Sequence, residues 1–135
     1  MRIVADTNLL IASLFWDRAP SIIVTKALQG EIQIIISPGI LAELRNVLQN
    51  PKEKFKLGEQ ETDDVIHSIL GLSQIIKPLM DVKVSRDPTD DHILACAQSA
   101  NADMIITSDK DLLVLKNFQG IPIKKPEEFL ADYND

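Results

Sequence analysis

The sequence predicts an α/β domain in which one parallel sheet is packed between layers of helices. Three observations carry that prediction. Short apolar runs rich in β-branched residues stand at Ile3–Ala5, Ile32–Ile36 and Met104–Ile106. Each gives way to polar turn residues and then to apolar residues at helical spacing. The alternation continues along all 135 residues with no repeat, low-complexity tract or linker, and that length suits one domain with its own core.

The first run, Ile3-Val4-Ala5, ends in Asp6-Thr7-Asn8, after which Leu9, Leu10, Ile11, Ala12 and Leu14 resume at helical density. That pattern is a buried strand, a polar turn and a helix. A second helix over Ser21–Leu28 carries Ile22, Ile23, Ala27 and Leu28, and Gly30 stops it. Ile32–Ile36 is the second strand. Ser37 then caps a helix with Pro38 in its first turn and Ile40–Leu48 as its body. Pro51–Gly58 is a polar, basic connection, Glu61–Leu72 an amphipathic helix, and Gln74–Ile76 a short third strand. Asp81–Thr89 is dense in charge and leads into a helix over Asp90–Ala100. After Met104–Ile106 come the turn Thr107-Ser108-Asp109 and a short helical piece over Leu112–Leu115. A strand at Gly120–Ile123 belongs at the sheet edge because of Pro122, and Pro126–Leu130 closes the chain with a helical turn.

Composition excludes several function classes. With 45% apolar and 25% charged residues, the profile is that of an ordinary soluble globular protein. No apolar run is long enough to span a bilayer, and the N-terminus lacks the form of a signal peptide. The single cysteine, Cys96, rules out an internal disulfide and points to a reducing cytoplasm. A formal charge of −6 argues against a general nucleic-acid coat protein. It leaves room for a nuclease, because divalent metals cancel a cluster of acids locally.

The acids are the candidate functional residues. In a parallel α/β sheet, ligands collect at the C-terminal ends of the strands. Asp6 closes a strand there, and a lone buried aspartate is costly unless paired, hydrogen-bonded or metal-bound. At about 100° per residue, Ile40, Leu41, Leu44, Val47 and Leu48 form one helix face, with Glu43 on one shoulder and Arg45 on the other. Asp90 opens the buried face of Ile93, Leu94 and Ala97, whereas Asp91 is turned about 100° away. Each acid also has a local explanation. Glu43 is then a solvated flank and Asp90 a first-turn acid worth about 0.5–2 kcal/mol. Asp87 becomes a turn residue before Pro88, and one of Asp109 and Asp111 an N-cap. Jointly, however, a parallel sheet brings Asp6, Glu43, Asp90 and Asp109 to one edge. Four carboxylates packed there would raise one another's pKa, and a hard cation such as Mg²⁺ or Mn²⁺ resolves the repulsion. Two such ions about 3.5–4 Å apart can activate water and stabilise a leaving oxygen in phosphodiester hydrolysis.

DTNLL at the first strand, Glu43 in the helix after the second, DPTDDHILACA and ADMIITSDKDLLVL together resemble the PIN domain family. The resemblance extends over essentially the whole chain, through IPIKKPEEFL. It implies one Rossmann-like domain with a sheet of about five parallel strands, and a ribonuclease dependent on one or two Mg²⁺ or Mn²⁺ ions. It also implies that Asp6, Glu43, Asp90 and Asp109 hold the metal and carry catalysis, with Asn8 and Thr107 as orienting partners. Asp91 is a departure from the family pattern, and Asp87 is a supporting residue. The short single-domain form is similar to VapC-like toxins of type II toxin–antitoxin pairs, which implies a homodimer and a cognate antitoxin.

RNA would be gripped by Arg45 and by Lys52, Lys54 and Lys56, with Phe55 offering a stacking surface. The alternative is a solvated loop. Phe15 and Trp16 suit core, dimer contact or partner surface. His67 and His92 lack zinc-ligand spacing, and no glycine-rich phosphate loop is present. Two other readings compete. A receiver-type phosphoacceptor domain shares the small parallel sheet, but Ile32–Ile36 ends in Ser37-Pro38, without the acceptor aspartate. A PIN-like scaffold that binds RNA or protein without cutting is the other, and the presence of all four acids counts against it.

Overall fold

The computed structural model describes residues 1–15, 18–50, 56–79, 83 and 87–133. The substrate contacts expected at Lys52 and Lys54, and the aromatic residues Phe55 and Trp16, lie outside the described residues.

The chain runs β1 (Arg2–Ala5), α1 (Thr7–Phe15), α2 (Arg18–Leu28), β2 (Gln33–Ile36), α3 (Pro38–Gln49), α4 (Glu59–Leu72), β3 (Ser73–Ile75) and α5 (Pro88–Ala100). It continues through β4 (Met104–Ile106), α6 (Lys110–Leu113), β5 (Asn117–Phe118), β6 (Ile121–Lys124) and α7 (Pro126–Tyr133). The strands form one sheet in the order β3-β2-β1-β4-β6-β5. Five of them are parallel, as expected, and β5 is antiparallel to β6. Register is set around β1, where Val4 pairs with Ile35 on one side and Ile105 on the other.

The short apolar runs become central strands because both sheet faces are covered, which is the condition for a parallel sheet. Ile3, Val4, Ile34, Ile35, Ile36, Ile105 and Ile106 are all buried. Leu9 and Leu10 of α1, Leu44 and Leu48 of α3, Ile93 and Leu94 of α5, and Phe129 of α7 close over them. Each such side chain contributes about 1.5–3 kcal/mol when fully buried. Ser37 caps α3 as the sequence predicts, its Oγ accepting the Ile40 N–H at 3.3 Å with Pro38 in the first turn. At the other end of the chain, α7 docks on α2. There the Tyr133 ring lies 5.4 Å from that of Phe129 and beneath Lys26 Nζ at 4.3 Å.

The strand around Pro122 is not the sheet edge. The two-residue β5 lies outside it, a pairing too short to read from periodicity. β6 meets β4 only at Ile123 and Lys124, and toward β5 the bond is made by the Ile123 N–H to Lys116 O at 3.0 Å. The N–H that Pro122 lacks is therefore not needed, and proline is tolerated inside the sheet.

The strand order also locates the functional edge. From β1 the chain winds outward through β2 to β3, then returns to the other side of β1 as β4. The winding thus reverses between β1 and β4, and the crevice beyond the carboxyl ends of those two strands is where such sheets bind ligands.

Candidate metal centre

Asp6 follows β1 directly and Thr107 follows β4. The backbone joins the two ends, with the Asp6 N–H donating to Ile106 O at 3.3 Å. Asp6 is the N-cap of α1, its Oδ1 accepting the Leu9 N–H at 2.8 Å. Its second oxygen, Oδ2, accepts the Thr107 hydroxyl. Thr107 Oγ1 in turn accepts the Asp109 N–H at 2.9 Å, so one fully buried hydroxyl links Asp6 to the turn that carries Asp109. Burial pushes the Asp6 carboxyl above the ordinary carboxylate range. The Thr107 and Leu9 bonds pull it back, and the nearby Asp109 charge raises it again.

Asp109 caps α6 by accepting the Asp111 N–H at 2.9 Å on Oδ1. Asp90, buried in the first turn of α5, completes the group. Oxygens of Asp90, Asp109 and Asp111 lie within 4.8 Å of one another, a set that could hold a metal ion. By sequence alone, Asp111 is as able as Asp109 to cap the helix after β4. Asp109 takes that role, and a carboxylate oxygen of Asp111 stands in the cluster. The Asp-x-Asp spacing directly after a buried strand was the available signal.

The remaining expected residues are placed as follows. Glu43 is half-buried on α3 and forms no hydrogen bond or ion pair among the described residues. Asn8 is exposed in the first turn of α1. Asp87 begins α5 through its carbonyl, which accepts the Asp90 N–H at 3.0 Å and the Asp91 N–H at 3.3 Å. Asp91 is half-buried beside Asp90. Arg45 is paired with Asp63 of α4 at 2.7 Å, so its guanidinium is already engaged. Lys56 is exposed beyond the C-terminal end of α3, a helix about 18 Å long at 1.5 Å per residue.

The chemistry of the donor set fits a hard divalent cation. The grouped side chains offer carboxylate oxygens, the ligands that Mg²⁺ and Mn²⁺ prefer, and a cation would remove the repulsion among them. A buried hydroxyl with no hydrogen-bond partner among the described residues, Thr7 Oγ1, stands next to Asp6 in the chain. Cys96, by contrast, is wholly buried in the core among Ile93, Leu94 and Ala97, with its thiol pushed up to about 12 by desolvation.

A model of the PIN domain family matches residues 2–111. No curated protein matches the chain. Among solved structures, it is similar to VapBC2 from Rickettsia felis bound to a DNA fragment from their promoter, with a TM-score of 0.65 and 16% identity. That match covers 93% of this chain and 98% of the other. It is also similar to PAE2754 from Pyrobaculum aerophilum, with a TM-score of 0.63, 15% identity, and 98% and 88% covered. FitAcB from Neisseria gonorrhoeae follows, with a TM-score of 0.58, 16% identity, and 93% and 98% covered.

Proposed function

The chain belongs to the PIN domain family, and from that premise we propose that it is a metal-dependent ribonuclease, the toxin of a toxin–antitoxin pair. The observation that carries the reading is the gathering of Asp90, Asp109 and Asp111 at the point where the sheet winding reverses, with Asp6 tied to the same turn through Thr107. Asp6, Glu43, Asp90 and Asp109 are the proposed metal and catalytic residues, with Asp111 added to them. Thr107 fixes the direction of the Asp6 carboxylate, and Asn8, Asp87 and Asp91 are supporting residues at the rim.

One or two Mg²⁺ or Mn²⁺ ions, when bound, supply an activated water and neutralise charge on the phosphate being cut. The chain's own contribution is to hold carboxylates in a fixed arrangement before substrate arrives. The caps made by Asp6 and Asp109 do this by anchoring each side chain to a helix start. Arg45, Lys52, Lys54 and Lys56 remain the proposed contacts to the RNA backbone, with Arg45 having to leave Asp63 to serve.

The likeness to VapBC2 and FitAcB supports an antitoxin partner, and homodimer formation in the cytoplasm belongs to the same proposal. No described helix is long and apolar enough to cross a membrane.

Incubating an end-labelled RNA pool with the protein in Mn²⁺, Mg²⁺ or EDTA tests the function. Cutting that needs metal and is lost in Asp6→Asn is the expected result. An Asp6→Asn protein that cuts at the parent rate would overturn the assignment, and an inactive parent that still binds metal and RNA would favour the scaffold reading.

A further inference from the structure

Gly39 occupies the first turn of α3, a position where alanine is the better helix residue. Its backbone does not call for glycine, since Gly39 is not among the residues with positive φ. The reason for glycine lies across the helix interface. A Cβ added at Gly39 would stand 3.0 Å from His92 Cγ, 3.0 Å from Nδ1 and 3.3 Å from Cε1. The imidazole of His92, one turn into α5, therefore rests directly on the α3 backbone. His92 is otherwise exposed, so this contact is not part of the sheet-facing core.

Two of the proposed metal residues are carried by the two helices that meet at that contact. Glu43 is four residues after Gly39 and so on the same face of α3, one turn along. Asp90 lies two residues before His92, in the first turn of α5. α3 carries Glu43 and α5 carries Asp90, so the separation of the two helices at Gly39 bears on how far apart these two carboxylates stand.

We propose that the Gly39–His92 contact is the spacer between α3 and α5, and that both residues are positioning residues that bring Glu43 to the metal site. The inference rests on the metal reading above. With glycine at 39, the ring of His92 can fill the gap and α3 sits close. With a Cβ there, the ring or α3 must give by a few tenths of an ångström, and where α3 gives, Glu43 is displaced with it.

The test is calorimetric titration of Mn²⁺ into the metal-free parent, Gly39→Ala, His92→Ala and the double variant, with a thermal melt of each. Gly39→Ala should weaken Mn²⁺ binding by about tenfold, the lower end of the range for residues that orient metal ligands. The double variant should recover to within about threefold of the parent, because the new methyl then takes the space the ring leaves. Parent-like affinity in Gly39→Ala overturns the proposal, and so does a double variant as weak as the single one. If Gly39→Ala does not fold, the double variant decides. A folded double variant with near-parent affinity supports the spacer, and one that also fails to fold contradicts it. A parent that binds no Mn²⁺ would instead remove the metal reading itself, and this inference with it.

Discussion

Thr107 donates its hydroxyl to Asp6 Oδ2 and accepts the Asp109 N–H at 2.9 Å, so a single side chain connects two acids carried by different strands. The arrangement gives a buried carboxylate the donor it needs. Replacing Thr107 by valine keeps the shape and removes both bonds. Thr107→Val should destabilise the fold by about 1.5–3 kcal/mol in urea denaturation, the range for hydrogen bonds to charged groups. Thr107→Ser retains the hydroxyl and should lose less than about 1 kcal/mol.

Asp6 carries the opposite sign of pH dependence from a salt-bridged aspartate. Its folded pKa is raised, mainly by burial, so the folded chain binds the proton more tightly than the unfolded one. The stability this contributes is full below the ordinary aspartate pKa and is lost as pH rises through the raised value. Asparagine caps a helix as well as aspartate does and carries no charge. Metal-free Asp6→Asn should therefore be more stable than the parent at neutral pH, and the gap should shrink as the medium is acidified. Added Mn²⁺ should reverse the order by stabilising the parent alone. Urea melts across pH, with and without Mn²⁺, check both signs.

Much of this was legible in the sequence because it is local. Asp6 at a strand end, Ser37 before Pro38, and Asp90 opening an apolar face each follow from neighbours within a few residues. What was not legible depends on partners distant in sequence or on pairings too short to leave a pattern. Arg45 reads as a free cation until Asp63, on the next helix, is seen beside it. The two-residue β5 has no periodicity of its own, so the sequence alone puts Pro122 at an edge it does not occupy. Asp111 was ambiguous because Asp109 and Asp111 are both suited to cap α6, and only the hydrogen bond decides between them.

Cys96 should be inert in the native protein. Burial pushes its thiol up to about 12, against a modest opposing effect of the Ser37 hydroxyl, so almost no thiolate is present at pH 8. A thiol-reactive disulfide reagent should leave the folded chain unmodified over hours and titrate one thiol at once in guanidinium. Rapid reaction without denaturant would contradict the packing around α5.

The basic segment after α3 makes a separate prediction about substrate. Changing Lys52, Lys54 and Lys56 together to glutamine should weaken RNA binding. It should also make the slope of log K against log salt shallower by up to about 2, at about 0.7 per phosphate contact on single strands. Binding measured from low to moderate salt checks it, and an unchanged slope takes the segment out of the RNA path.

The proposed metal-binding edge is made by acids that follow β1 and β4 together with acids on α3 and α5. Its most direct test is an anomalous difference map from a crystal of the protein soaked in Mn²⁺. The expected result is a peak at the ends of β1 and β4, held by oxygens of Asp90 and Asp109 with Asp6 alongside. A soaked crystal with Mn²⁺ peaks elsewhere and none at that edge would contradict it.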